Sequence, residues 1–272
     1  MPGGPTIPAE TDVLCEHCGY VLNGLPPGSN CPECGRPAAD SDPALRTPTA
    51  WEKSAGNASA SAAPSGIAST AGGASASEAS LASRSVFAAA GAFVTTTAAA
   101  LFRPTRFYRT LATRTDTPLS AVFAQIHWAA AALLLGLAAY AHAQWFVFGD
   151  PGSPLHPLKW VALSIGAYLF VLLTTRLAAR LTHWEASYRS IRLTLPVVRR
   201  GLQYHAVHYL PVAATAALTV VGYGYLVRRG VLDPLSTTTT YLYVLSAEVV
   251  IAAIYLFKTY WIAMRNMMYA NA

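Results

Sequence analysis

The four cysteines of the chain form two pairs whose spacing suits a metal ion. Cys15 and Cys18 form one CxxC pair, Cys31 and Cys34 form the other, and twelve residues separate the pairs. Each pair presents two thiolates from one tight turn, so two facing turns complete a tetrahedral set of four sulfurs. Four thiolates leave no open position for water or a substrate. The spacing therefore predicts one structural zinc ion per chain, which would stabilise a module too small to form its own core.

Two alternatives to zinc use the same cysteines. Iron also accepts four sulfur ligands, and the sequence does not distinguish it from zinc. Two disulfides would require an oxidising compartment. Residues 1–25 contain no apolar run long enough for a secretory signal peptide, so we expect reduced cysteines. His17, inside the first pair, is expected to be a bystander.

The charge distribution disfavours nucleic acid as a partner of this module. Residues 1–80 contain eight acidic and three basic residues, whereas residues 81–272 contain 16 basic and five acidic ones. Phosphate binding requires clustered lysines and arginines on the binding module itself. The N-terminal part is instead acidic, which favours a protein partner for a zinc ribbon.

The composition of the whole chain is typical of an integral membrane protein. Hydrophobic residues make up 53% and charged residues only 12%. A helix that rises 1.5 Å per residue needs about 20 apolar residues to cross the hydrocarbon layer. Four blocks are long enough, at residues 121–148, 158–181, 204–227 and 241–262. The sequence thus predicts an all-α helical transmembrane bundle with a small N-terminal zinc ribbon.

The chain divides into four predicted segments. Residues 1–46 hold the zinc ribbon, and residues 47–85 are so rich in Ala, Ser and Gly that they predict a disordered linker. Such a tether would let the ribbon move over the membrane surface. Residues 86–118 are apolar and then basic, which predicts an interfacial helix or a fifth span. Residues 119–272 form the transmembrane bundle.

Arginines between the second and third spans set the predicted orientation. By the positive-inside rule, we expect this connection to lie in the cytoplasm, together with both termini and the ribbon. Its apolar residues recur at helical spacing, which predicts a basic amphipathic helix bent at Pro196 and lying on anionic lipid. A solvated loop is the alternative. The arginines of the connection are Arg189, Arg192, Arg199 and Arg200.

Few ionisable residues lie inside the predicted spans. Glu248 is the only carboxylate in them, and His142 lies at a similar depth in the first span. Because such groups are costly in a membrane unless paired, we expect a polar pair between them, either as packing glue or as a proton or cation relay. His205 and His208 share a helix face and offer a less favoured second metal site with His183 and Glu185.

Two segments resemble known families. The stretch CEHCGYVLNGLPPGSNCPECGR closely resembles the CxxCGYxLxGL…CPECG ribbon that begins many multi-pass membrane proteins of planctomycete-type bacteria. The part from FRPTRFYRTL through LTLPVVRRGLQYHAVHYLPVAA to YWIAMRNMMYAN distantly resembles the Yip-type domain of membrane-trafficking and bacterial membrane proteins. These resemblances imply a membrane-embedded helical bundle without established catalytic residues, at the inner membrane of a bacterium.

No sequence motif indicates an enzyme class. The chain lacks GxSxG, HExxH, the P-loop and the dinucleotide-binding fingerprint. We therefore expect a non-enzymatic membrane protein whose cytoplasmic ribbon mediates protein–protein interaction. The alternative is a small transporter or intramembrane enzyme that uses Glu248 and the membrane histidines.

Overall fold

The computed structural model describes residues 8–9, 11–54, 76–113, 118–144 and 157–271. A short helical turn occupies residues 50–54. Within the described residues, β-structure is limited to isolated bridges. The helices that form the body of the fold are α1 (Ala76–Phe102), α2 (Pro104–Thr110), α3 (Leu119–His142), α4 (Pro157–Tyr188), α5 (Leu195–His205), α6 (Tyr209–Arg228) and α7 (Pro234–Met267).

Four helical segments are long and apolar enough to cross a membrane, which confirms the predicted helical transmembrane class. The third segment includes α5, a 3-10 turn at Ala206–His208 and α6, so it begins nine residues before the predicted start at residue 204. The predicted end of the first span, residues 145–148, lies outside the described residues. The four segments are Leu119–His142, Leu158–Tyr188, Leu195–Arg228 and Thr237–Met267.

Helices α1 and α2 form one sharply bent unit. Their axes differ by 116° between Val86–Phe102 and Pro104–Thr110. Pro104 occupies the first turn of α2, where its missing N–H and fixed φ are tolerated, whereas it could not continue α1. The two helices together are as apolar as a span. Both predicted alternatives for this region, an interfacial helix and a fifth span, are compatible with the bent shape.

Helix α3 lies at the centre of the bundle and packs most extensively against α4 and α6. Its contact with α4 depends on small residues. A Cβ atom added at Gly136 would lie only 2.7 Å from the Cα atom of Ser164. Small residues at such crossings let two helix backbones approach closely, which strengthens packing where lipid provides no hydrophobic driving force.

The two ends of the bundle have different cores. At the end that carries the ribbon, bulky buried residues form a cluster that includes Tyr108, Phe123, Tyr204 and Met267. At the opposite end the cluster consists mainly of small residues around Tyr241. The outer face of α7 is apolar and largely exposed, as expected for a surface that contacts lipid.

The connection between α4 and α5 differs from the predicted amphipathic helix. The chain leaves the helix after Tyr188, and Pro196 lies in the first turn of α5 rather than at a bend within a helix. Arg200 is buried, and Arg192 bonds to the N-terminal module. These two arginines therefore bind the protein itself and are not available to lie on lipid.

Candidate metal centre and its attachment to the bundle

The four cysteines lie on two matching turns. In the first, the amide of Cys15 donates to Tyr20 O and the amide of Gly19 donates to Cys15 O. In the second, Cys31 donates to Arg36 O and Gly35 donates to Cys31 O. Gly19 and Gly35 have φ values of 82° and 71°, a conformation that glycine adopts without strain. The sequence repeat therefore gives two equivalent turns that face each other.

The sulfur positions fit a tetrahedral metal ion. All four Sγ atoms lie within 4.8 Å of one another. Cys15 Sγ is 3.5 Å from Cys34 Sγ, and Cys18 Sγ is 3.6 Å from Cys31 Sγ. Metal–sulfur bonds of about 2.3 Å place the sulfurs of a tetrahedral site roughly 3.8 Å apart. The predicted ligand set thus converges into a site that could hold a metal ion.

Backbone amides add to the suitability of this site for thiolates. Burial opposes ionisation of the Cys31 thiol, but hydrogen bonds from the amides of Cys34 and Glu33 and from Cys18 and Cys15 outweigh it and lower its pKa to about 7. Burial raises the pKa of the Cys18 thiol. Amides after the third cysteine thus stabilise negative charge on its sulfur. Cys15 and Cys31 are buried, whereas the other two cysteines are more accessible. His17 is exposed and lies outside the cluster.

A buried arginine holds the ribbon to the bundle. The guanidinium of Arg46 makes two bonds to the carboxylate of Glu16, at 2.6 and 2.9 Å. Its remaining N–H groups donate to the carbonyl oxygens of Tyr108, Leu111 and Asn266. Glu16 lies between the two cysteines of the first pair, so this ion pair connects the metal turn directly to α2 and α7.

The C-terminus contributes a second attachment. The side-chain oxygen of Asn271 accepts from the amide of Leu14, and its NH₂ group donates to Leu14 O and Ser41 O. The ring of Tyr269 packs against Gly19, where an added Cβ atom would lie 2.6 Å from its Cε1 atom. The side chains of Tyr269 and Asn271 therefore hold the C-terminus against the backbone of the ribbon.

The connection between α4 and α5 forms the third attachment. Arg192 donates to Ala9 O and Asp12 O, both at 2.7 Å, and to the side-chain oxygen of Asn271. The ribbon, this connection and the C-terminus thus lie at one end of the bundle. This arrangement agrees with the predicted placement of all three on one side of the membrane.

The segment after the ribbon is packed against the bundle as well. Thr47 and Leu111 form a parallel bridge. Thr49 and Glu52 then form a capping box, because the amide of Thr49 donates to Glu52 Oε2 and the amide of Glu52 donates to Thr49 Oγ1. The indole of Trp51 donates to Leu119 O. These contacts fix the helical turn at residues 50–54.

The capped turn places Glu52 where it forms a buried ion pair with Arg200. Arg200 Nη2 lies 2.7 Å from Glu52 Oε1, and both side chains are nearly inaccessible to solvent. Arg200 also donates to Ala112 O. Sequence reasoning missed both residues of this pair and Arg46. The T-x-x-E pattern at Thr49–Glu52 was the available signal for an ordered turn.

The structure differs from the predicted linker, residues 47–85, at both ends, because residues 47–54 pack on the bundle and residues 76–85 belong to α1. Residues 47–54 are ordered by backbone pairing, a capping box and a buried ion pair, none of which follows from the low complexity of the later sequence. Residues 55–75 of the predicted linker lie outside the described residues. The ribbon also has a defined position on the bundle rather than the predicted freedom to move, because three attachments hold one of its faces.

The predicted intramembrane pair is not in contact. His142 Nδ1 lies 2.8 Å from the hydroxyl of Tyr241, and neither carboxyl oxygen of Glu248 has a hydrogen-bond partner among the described residues. Tyr241 and Glu248 lie on the same face of α7, two turns apart, or about 10.5 Å along its axis. The predicted match in depth was therefore wrong, because His142 lies level with Tyr241 and not with Glu248 two turns away on the same face.

The alternative histidine site also does not form. His205 Nε2 bonds to Thr259 Oγ1, and His208 Nδ1 bonds to the hydroxyl of Tyr255. His183 bonds to Leu193 O, and Glu185 pairs with Arg189. Among the described residues, the four cysteines are the only cluster whose ligand atoms converge as a metal site requires.

Comparison with protein-family models, with curated proteins and with solved structures finds no match to this chain.

Proposed function

We propose that this chain is a non-enzymatic integral membrane protein whose structural zinc ribbon, mounted on the cytoplasmic end of the bundle, mediates protein–protein interaction. The observation that carries this proposal is the three-point attachment of the ribbon, which leaves its opposite face exposed. A partner bound to that face would have a defined position relative to the membrane. The proposed resemblance to ribbon-headed and Yip-type membrane proteins also supports a non-enzymatic membrane protein.

Zinc is the proposed metal because the site is saturated by four thiolates and has no position for a reacting water. Its role is to fold the ribbon, and the folded ribbon in turn carries Glu16 to Arg46. Iron would satisfy the same sulfurs. Metal analysis of the purified full chain, with absorption spectroscopy to detect iron–thiolate bands, tests the identity.

The cytoplasmic placement of the ribbon is proposed from the arginines at its end of the bundle. The end of α4, the connection between α4 and α5, and α5 itself carry six arginines, whereas the opposite ends of the spans carry Arg228 and Arg229. Reduced cysteines are also expected on the cytoplasmic side. A maleimide reagent that does not cross membranes, applied to intact cells and to inverted vesicles after metal removal, tests this orientation.

The exposed face of the ribbon suggests the chemistry of the partner. Tyr20, Val21 and Leu45 are exposed apolar residues. Asp40 and Glu33 are exposed acidic residues of the ribbon, whereas Arg46 is already paired with Glu16. The partner is therefore proposed to be a protein with a basic and partly apolar surface rather than a nucleic acid.

Proximity labelling from the N-terminus of the full chain tests this function. Tyr20→Ser removes an exposed aromatic ring from the ribbon and keeps the backbone carbonyl that bonds to Cys15. Tyr188→Ser makes the same change at another exposed tyrosine, at the end of α4 on the ribbon side. We expect Tyr20→Ser to lose a set of labelled neighbours that Tyr188→Ser keeps. Identical labelling by both variants and by Cys15→Ser/Cys31→Ser would contradict the proposal.

A second candidate, transport, is favoured by one observation. Glu248 lines a groove of about 490 Å³ between α6 and α7, together with Thr215, Thr219 and Tyr255. Among the described residues its carboxyl group has no hydrogen-bond partner, and Tyr255, which lines the same groove, bonds to His208. A membrane carboxyl group without a partner is a candidate for proton or cation transfer.

Reconstitution into liposomes that contain a pH-sensitive dye tests this candidate. A transporter should show a proton flux that Glu248→Gln abolishes and that Tyr20→Ser leaves unchanged. Removal of residues 1–50 does not separate the two candidates, because Arg46 and Thr49 belong to the packing of the bundle. The absence of a flux in the wild-type protein would eliminate transport of protons.

A further inference from the structure

We propose that a cleft between α3, α4 and α5 binds the phosphate group of an anionic lipid at the ribbon end of the bundle. The cleft has a volume of about 400 Å³. Three arginines line it, Arg176 and Arg180 from α4 and Arg199 from α5. The amide side chains of Gln125 and Gln203 complete its polar wall. Guanidinium groups and amide N–H groups are the donors that phosphate oxygens accept from.

The charge of this cleft is not balanced by the protein. None of its described lining residues is acidic. Among the described residues, these three guanidinium groups have no hydrogen-bond or ion-pair partner. The other arginines at this end behave differently, since Arg46 and Arg200 are buried in ion pairs. Three unpaired cations on one cleft repel each other, and an anion removes that repulsion.

A buried donor in the wall of the cleft supports an anionic ligand. Trp128 lines the cleft and is only 6% exposed. Its indole N–H is buried and has no hydrogen-bond partner. Buried N–H groups in folded proteins are nearly always paired, so an unpaired one beside three cations indicates a missing acceptor.

The depth of the cleft indicates a lipid as the source of the phosphate. Arg176 follows Leu158 by 18 residues, or about 27 Å along the helix, which is close to the thickness of the hydrocarbon layer. The arginines therefore lie at headgroup depth. On the same helix Leu169, Phe170 and Leu173 are exposed on the hydrocarbon side of Arg176, where acyl chains would lie.

Native mass spectrometry of the full chain in detergent micelles tests this site. The probes are phosphatidylglycerol, which is anionic, and phosphatidylcholine, which is zwitterionic. We expect one phosphatidylglycerol to be retained per chain in preference to phosphatidylcholine. Each change of Arg176, Arg180 or Arg199 to Gln should reduce its affinity about fivefold, in line with the contribution of a basic residue near a charged headgroup. Trp128→Phe should also weaken retention, because it removes the buried donor.

The matched control is Arg106→Gln, an exposed arginine of α2 at the same end but outside the cleft. It should retain phosphatidylglycerol like the wild-type protein. The thermal midpoint of each single variant, measured without added lipid, shows whether that variant is folded. Equal retention of both lipids, or equal loss in Arg106→Gln, would overturn the site. Displacement of the lipid by millimolar inorganic phosphate would assign the cleft to a soluble anion and overturn the lipid assignment.

Discussion

The two ends of the bundle differ in whether their buried ionisable groups are paired. At the ribbon end, Glu16 and Glu52 are buried, and each pairs with an arginine that also donates to backbone carbonyls. In the opposite half, small residues surround Tyr241, and the Glu248 carboxyl group has no hydrogen-bond partner among the described residues. A buried ion that is paired and hydrogen-bonded specifies a geometry, whereas an unpaired carboxyl group in a membrane is neutral or awaits a ligand. The ribbon end is therefore the end whose geometry is fixed by paired buried charges.

Removal of the metal should have the largest effect, confined to the ribbon. Structural zinc contributes on the order of 10–16 kcal/mol of apparent free energy to small modules at neutral pH. We expect Cys15→Ser/Cys31→Ser to lose the metal and to make residues 11–46 sensitive to protease while the spans remain helical. Metal analysis and limited proteolysis measure both effects. His17→Ala is the control and should keep one ion per chain; loss of metal in this variant would show that the four sulfurs do not suffice.

Breaking the Glu52–Arg200 pair should have the next largest effect. Glu52→Gln leaves a buried guanidinium without its counter-charge, which typically costs about 3–5 kcal/mol of unfolding free energy. Thermal or denaturant unfolding in detergent measures the change. The control is Glu185→Gln, which breaks the exposed pair with Arg189 on α4 and should cost less than about 1 kcal/mol. Similar losses in both variants would contradict the distinction between buried and exposed pairs.

The close contact between α3 and α4 should be sensitive to a single methyl group. Gly136→Ala places a Cβ atom against Ser164, and such overpacking costs about 1–3 kcal/mol. The matched control is Gly166→Ala on α4, where nothing lies within 4 Å of the added atom. That variant should be neutral or slightly stabilising, because alanine favours helix more than glycine does. A neutral Gly136→Ala would show that the helices are farther apart.

Loss of the C-terminal attachment should loosen the ribbon without removing the metal. Asn271→Ala leaves the buried amide and carbonyl of Leu14 unpaired, at about 1–3 kcal/mol for the local free energy. Hydrogen exchange of residues 11–46 should become faster. Asn266→Ala is the control, because its side chain bonds only within α7, to Ile262 O. Unchanged exchange in Asn271→Ala would mean that the other attachments suffice.

The smallest effect is expected at the opposite end. Glu248→Gln replaces a carboxyl group without a partner by a neutral amide of similar size, so unfolding free energy should change by less than about 1 kcal/mol. Thermal unfolding in detergent measures it. A large loss of stability would reveal a partner for the carboxyl group and remove the contrast between the two ends.

Most local patterns in the sequence were interpreted correctly, with two exceptions. The cysteine pairs converge as predicted because each turn is formed by neighbouring residues. The four spans follow from runs of apolar residues. One exception is Thr49–Glu52, a capping box that was predicted to belong to a linker because the residues after it are of low complexity. The other is the amphipathic helix predicted to bend at Pro196, a residue that instead lies in the first turn of α5.

Contacts between distant residues were not predictable in the same way. Glu52 and Arg200 are 148 residues apart, and Leu14 and Asn271 are 257 residues apart. The predicted partner of His142 was wrong because His142 lies level with Tyr241, two turns along α7 from Glu248. Neither spacing nor composition gives the shift of one helix along its axis relative to another.

The sequence by itself determined the four-sulfur site and the helical membrane class, because both depend on residue type and short-range spacing. Only the tertiary structure decided that the ribbon is fixed to the bundle, through Arg46, Arg192 and Asn271. The physical reason is that buried polar groups must be paired, and their partners come from whichever segments the packed helices bring together.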